Sequence, residues 1–358
     1  MATLTETAYY TRKSLKWGAI ALGVYIILKI VISISIQIYK QMNPTPPPPP
    51  TRGFGLLNPI DFPVSEIDTQ LKYSLQTPNL KLPIMPTQVA VYATYPQKAN
   101  LSASDQAQKI AKQLGFFGKY QALSAKDYRW KLNIPAPMTL ELDIVSQDFS
   151  INYQWQEDHN ILTSTLPPKQ DTVDKIIKNL FSNLQTPPTD IDSTNLNVKY
   201  LRASGNKLVK APSLSEAHFV QVDLERNKLN EIPFVTDNPE KGIIHMVLSG
   251  SSNQLKQFIQ LDYRYYPINY TSKETYYSLD IQKAWQAVNA GNAFIAQADS
   301  QAEEINIRRI YLAYYDKPYG QPFIQPIYVF SGDDQNNNPF VAYYDAIDPS
   351  QIKSSANN

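Results

Sequence analysis

The hydrophobic positions fall into one unbroken block near the start and into short periodic runs after it. Gly18 to Tyr39, GAIALGVYIILKIVISISIQIY, carries a single charge, Lys29. It is long enough to cross a hydrocarbon core at about 1.5 Å per helical residue. A central lysine costs roughly 3 kcal/mol on insertion and each Leu, Ile or Val returns about 0.3–0.6 kcal/mol. Twelve such residues outweigh it. ISISIQIY alternates as a strand would, but no turn separates it from the apolar run before it. A cleaved signal would use Gly18–Leu28, yet no Ala-x-Ala-like site follows. The pattern predicts a transmembrane helix over 17–40, with Trp17 and Tyr39 at its interfaces.

Beyond residue 56 the periods change. Three stretches repeat apolar residues at helical spacing. SASDQAQKIAKQLG places Ala107, Ile110, Ala111 and Leu114 on one face, with Ser102 and Asp105 as a capping-box pair and Gly115 as its stop. DTVDKIIKNLFSNL aligns Val173, Ile176, Ile177, Leu180 and Leu184 behind an Asp171 cap. LDIQKAWQAVNAG aligns Ile281, Ala284, Trp285 and Val288 behind Asp280 and closes at Gly291. Strand-like runs surround them: QVAVYATY, YRWKLNI, TLELDIVS, FSINYQW, AHFVQVDLE, GIIHMVLSG, FIQLDYRYY, INIRRIYLAYY, PFIQPIYVF and FVAYYDAI. Short helices among many closely connected strands predict an α+β fold of antiparallel sheets with helices on one face. The expected divisions are a tail over 1–16, the span over 17–40, a linker over 41–56, α+β modules over 57–170 and 171–350, and a disordered tail over 351–358.

Charge sets the orientation. Arg12, Lys13 and Lys16 precede the span, and Lys40 and Arg52 follow more sparsely, so the positive-inside rule predicts a cytoplasmic N-terminus and an extracytoplasmic remainder. The linker contains NPTPPPPPTR, whose Pro44–Pro50 run predicts a semi-rigid polyproline spacer of roughly 20 Å. The whole chain is +1; through Lys40 five basic residues face Glu6, or +4, which leaves −3 outside. That balance provides no footprint for nucleic acid or an anionic lipid surface. The chain has no cysteine, which removes disulfides, thiolate metal sites and a cysteine nucleophile together.

Candidate chemistry is sparse. His159, His218 and His245 belong to no metal or triad spacing, and His245, inside GIIHMVLSG, reads as a satisfied sheet histidine. No nucleophile elbow, Walker loop or dinucleotide fingerprint is present. SGSS at Ser249–Ser252 reads as a turn, and SGDDQNNNP, with adjacent Asp333 and Asp334 and no following glutamate, as a hairpin loop and not a calcium loop. Acidic pairs such as Glu303–Glu304 and Glu157–Asp158 read as exposed charge, although a glycosidase also needs two carboxylates. No catalytic residue, metal ligand or cofactor is expected. In IYLAYYDKPYGQPFIQPIYVF, Ile310, Leu312 and Tyr314 are expected on one strand face, and Phe323, Ile327 and Val329 on the matching face of the next. Both would meet the Ile281/Trp285/Val288 side of the preceding helix. Tyr311, Tyr315 and Tyr328 would share the other face, where amphipathic rings pack at a flank or touch a partner. With Lys29, a polar handle for another transmembrane helix, they are the candidate partner contacts.

The C-terminal order carries a resemblance: DIQKAWQAVNAGNAFI, then INIRRIYLAYYD, PFIQPIYVFSG and FVAYYDAID. A helix with Ala-Trp and a Gly stop, a strand ending in Tyr-Tyr, Gln-Pro before an aromatic strand and a closing Ala-Tyr strand resemble the PepSY-like module. They are similar to the extracytoplasmic part of the YycI and YycH proteins, membrane-anchored regulators of sensor kinases. The likeness covers about the last 80 residues, the rest by layout only, and the earlier segments would be divergent copies in tandem. It implies a membrane-tethered, non-enzymatic regulator that contacts the bilayer and another envelope protein, with no nucleic acid. The alternatives are an envelope enzyme or cell-wall binder with a cleft between modules, and a structural subunit of a surface assembly. A homo-oligomer is compatible with each.

Overall fold

The computed structural model describes residues 4–42, 48–64, 71–95, 100–163, 166–184, 187–192, 196–317 and 320–354. The chain divides into two compact units, Met1–Pro49 and Pro50–Asn358. The first contains one helix among its described residues, α1 (Leu4–Met42), which extends the expected span at both ends. Its stretch Ala8–Tyr39 is long and apolar enough to cross a membrane, and none of it is buried within the protein. Most of the expected proline spacer lies outside the described residues.

The second unit is α+β. Its helices are α2 (Ala103–Gln113), α3 (His159–Thr163), α4 (Gln170–Ser182) and α5 (Ile281–Asn289). Its first strands are β1 (Lys72–Leu75), β2 (Gln88–Thr94), β3 (Gln121–Ala122), β4 (Asp127–Asn133), β5 (Pro137–Asp143) and β6 (Phe149–Tyr153). Then come β7 (Asn197–Ser204), β8 (Lys207–Lys210), β9 (Phe219–Leu224), β10 (Phe234–Val235), β11 (Ile244–Ser249) and β12 (Phe258–Tyr263). The last are β13 (Ile268–Tyr277), β14 (Phe294–Gln297), β15 (Glu304–Tyr315), β16 (Phe323–Asp334) and β17 (Pro339–Asp345).

Nine strands form one antiparallel sheet in the order β3-β4-β5-β6-β12-β11-β9-β7-β8. The alternation of its strands gives it one apolar face. Leu140, Ile151, Leu261, Met246 and Val222 lie on that face and share a core with Ile110 of α2 and Ile177 of α4. The other eight strands follow the path β1-β15-β16-β17-β14, with β10 also on β15 and β2 bridging β16 to β13. Its ladders are antiparallel as expected, with two exceptions at one edge. β1 and β10 both run parallel to β15, because the edge of this twelve-residue strand is covered by two short strands from distant parts of the chain.

A boundary at 170 is corrected. β6 pairs with β12 from Asn152↔Gln260 to Phe149↔Tyr263, and β2 pairs with β13 and β16. Each sheet therefore draws strands from both sides of 170, and no tandem pair of modules is separable there. The expected tail over 351–358 is ordered in its described part. Gln351 is buried and Ile352 forms a parallel bridge to Leu57. Residues 355–358 lie outside the described residues.

Two of the expected caps change. At α2, Ser102 precedes the helix but makes no capping bond; its hydroxyl donates to Asn100 Oδ1. At α4 the cap position is Lys169, which puts Asp171 in the first turn. Asp280 does cap α5, accepting from the Gln282 N–H at 2.8 Å. Gly115 and Gly291, at φ +90° and +77°, close α2 and α5 with paired backbone bonds to the last turn.

The β15–β16 hairpin also sorts differently. Ile310 pairs with Phe330 and Leu312 with Tyr328, so these four share the face under α5, with Trp285 stacked 6.1 Å from Phe330. Ile327 and Val329 lie on the opposite face with Ala313 and Tyr315. Tyr314 joins neither set; it packs with Tyr92 and Phe234 in the larger core. In a hydrogen-bonded ladder, directly paired residues share a face, so register decides the sorting where counting along one strand cannot.

Candidate functional site: a polar sheet face and its cleft

The second face of the nine-stranded sheet is a grid of polar side chains. Register places Arg129, Glu141, Ser150, Asp262, His245 and Asp223 in one row across six strands. A neighbouring row contains Lys131, Thr139, Asn152, Gln260, Val247, Gln221 and Lys199. At one end Asp127 pairs with Asp143, whose N–H donates to the Asp148 carbonyl. A short sequence pattern underlies the middle of the grid: Val-Gln-Val-Asp in β9 and Ile-Gln-Leu-Asp in β12, on either side of β11. In both, the glutamine amide donates to the aspartate two residues on, at 2.7 Å for Gln221–Asp223 and 2.9 Å for Gln260–Asp262.

His245 stands between those two aspartates. Its Nδ1 lies 2.7 Å from Asp223 Oδ1, which also accepts from the Gly242 N–H. Burial alone would raise the Asp223 carboxyl, but the His245 and Gln221 contacts outweigh it and hold it below its usual value. His245 is thus a satisfied sheet histidine, as its sequence setting predicts.

Three adjoining cavities run along this end of the sheet. One, of about 220 Å³, has Phe234, Tyr311 and Tyr343 among its walls. A second, of about 180 Å³, shares Thr236, Lys241 and Asp316 with the first and has His245 on its lining. The third, of about 400 Å³, meets the second at Asp262 and Arg264.

At the back of the first lies Arg226, its side chain fully buried. Its guanidinium donates to Asp316 and Asp190, both at 2.7 Å, and to the Tyr266 carbonyl at 2.6 Å. The Tyr265 and Tyr266 rings lie 4.7 and 5.1 Å from its centre, and Tyr270 also donates to Asp190. Burial raises the Asp316 carboxyl even so, because two carboxylates share one guanidinium. Asp316 follows β15, Arg226 follows β9 and Tyr266 lies in the passage from β12 to β13, so this cluster ties the two sheets together.

The sequence-predicted contacts scatter. Tyr315 and Tyr328 are fully buried, which corrects their place among candidate partner contacts. Tyr328 faces α5, donating to the Leu279 carbonyl at 2.6 Å. Tyr311 is half-buried on the wall of the first cavity, under the Arg309 guanidinium at 5.3 Å. Lys29 is exposed on α1, its Nζ 6.0 Å from the Tyr25 ring one turn earlier. Sequence reasoning missed Arg226 and Asp148. The Gln-x-Asp repeat was a readable sign of a polar sheet face, but neither of those two residues belongs to it.

No family model matches the chain and no curated protein matches it. Among solved structures it is similar to an uncharacterized protein from Eubacterium rectale ATCC 33656. The TM-score is 0.34 and the identity 11%, over 73% of this chain and 84% of that one. At that score the likeness carries no argument about function.

Proposed function

We propose that this chain is a membrane-tethered, extracytoplasmic binding protein that regulates another envelope protein and performs no catalysis of its own. The observation that supports the reading is α1, whose stretch Ala8–Tyr39 is long and apolar enough to sit in lipid. The basic residues at its N-terminal end favour a cytoplasmic N-terminus. The second unit then offers its polar sheet face, with side chains such as Asn152 and Lys131 in solvent, as the surface on which a partner is recognised. Such a face supplies many directional hydrogen bonds and mixed charge, which specify a partner more than they drive tight association.

The test is site-specific crosslinking in native membranes with the full chain. A photoreactive residue at Asn152 or Lys131 should yield a discrete adduct, whereas the same group at Lys109 on the outer side of α2 should not. Equal labelling from both surfaces, or extraction of the chain by alkaline carbonate, would remove the basis of this reading.

A further inference from the structure

The third cavity contains a carboxylate that the fold leaves unanswered. Asp148 is 6% exposed, and neither carboxyl oxygen meets a hydrogen-bond partner at ordinary distance; the nearby Ser146 hydroxyl offsets its burial only in part. The other four carboxylates on the lining are all engaged. Lys126 bonds Asp143 at 3.0 Å and Arg129 bonds Glu141 at 2.6 Å. Ser124 donates to Asp127 at 2.6 Å, and Gln260 donates to Asp262. Five acidic residues on the lining face Lys126 and Arg264 there and are also met by Arg129 at Glu141 and Lys241 at Asp262, so one negative charge is left over when every carboxylate is ionised.

We infer that this cavity receives a primary ammonium group, with Asp148 as its principal acceptor; the inference rests on the binding reading of the polar face and names what that face takes. The walls fit the whole of such a group. Leu123, 42% exposed, offers apolar surface for a methylene stem, and the carboxylates offer acceptors for the charged head. A volume of about 400 Å³ accommodates a four- or five-carbon chain. A metal ion is the poorer fit: among the described residues no three His, Asp or Glu side chains are grouped to hold one.

Burial raises the Asp148 carboxyl to about 7, with the Ser146 hydroxyl, Arg264 and Lys126 opposing the rise and Asp143 adding to it. The charged groups facing it are Lys126 and Asp127 at the start of β4, Glu141 and Asp143 on β5, and Asp262 and Arg264 at the end of β12. An ammonium ligand therefore meets a protonated acid below pH 7 and must displace its proton.

The experiment is calorimetric titration of the full chain in detergent micelles. Three probes are used: 1,5-diaminopentane, the peptide acetyl-Gly-Lys-Gly-amide, and that peptide acetylated on its Nε. The lysine peptide or the diamine should bind, which separates a protein side chain from a free amine, and the acetylated peptide should not. Binding at pH 6 should release close to one proton, read from buffers of different ionisation enthalpy, and affinity should rise at least tenfold between pH 6 and pH 8. Asp148→Asn should lose tenfold or more and abolish the proton release; Glu141→Gln, on the exposed side, should lose only two- to threefold. Equal binding of the acetylated peptide, no binding of either amine, or full affinity in Asp148→Asn would each overturn the inference. Adducts at Asn152 without amine binding would sink this inference and leave the binding reading standing; amine binding without adducts would do the reverse.

Discussion

Asp148 carries a thermodynamic consequence besides its ligand chemistry. Its folded-state carboxyl titrates near 7 against an ordinary value of 3.8. Between those values the native state holds a proton that the unfolded chain has lost. Stability from this group is thus complete below about pH 4 and is lost as pH rises through 7. Three units correspond to roughly 4 kcal/mol at most. Thermal unfolding at pH 5 and pH 8 should show the fall, and Asp148→Asn should flatten it and raise the melting temperature at pH 8. A variant with an unchanged slope would mean that other groups govern it. At this scale the sequence was least legible. SQDFS gives no sign that its aspartate is buried, since burial comes from β12 arriving more than a hundred residues later. His245 was legible because an isolated polar residue in an apolar run must find a partner in its sheet.

Helices and strands were more readable, for a local reason: period and punctuation are written within a dozen residues. All three helices predicted in the second unit formed with the expected buried faces, and all ten predicted runs contain strands. Missed were α3, only five residues long, and strands such as β13, whose INYTSKETYY shows no sustained alternation. Caps divided according to whether the side chain could reach a free N–H. Asp280 does, so Asp280→Ala should cost about 1 kcal/mol of stability. Asp171 lies inside its helix, so Asp171→Ala should change stability by no more than about 0.5 kcal/mol. Chemical denaturation of the two variants side by side checks this, and equal losses would contradict the cap assignment.

The order of strands in the whole molecule is where local reading ended. Period identifies a strand but not its neighbour, and both sheets are assembled from segments far apart in the chain. The C-terminal residues show the same effect. Their polar composition suggested disorder, yet the Gln351 amide accepts from the Tyr277 N–H at 3.0 Å and donates to its carbonyl at 2.9 Å, as a paired strand would. Gln351→Ala leaves the Tyr277 N–H unmatched beside a buried position, its carbonyl still accepting from the Asp348 N–H, and should cost about 1–3 kcal/mol. Loss of hydrogen-exchange protection at Tyr277 and Leu57 would accompany it, and an unaltered exchange pattern would argue against the role given to Gln351.

Around Gln351 the first and last threads of the folded unit run side by side: the Leu57 N–H donates to the Gln351 carbonyl and the Lys353 N–H to that of Leu57. Entry to the second unit and exit from it therefore share one place on its surface, and anything joined at one thread would emerge next to the other.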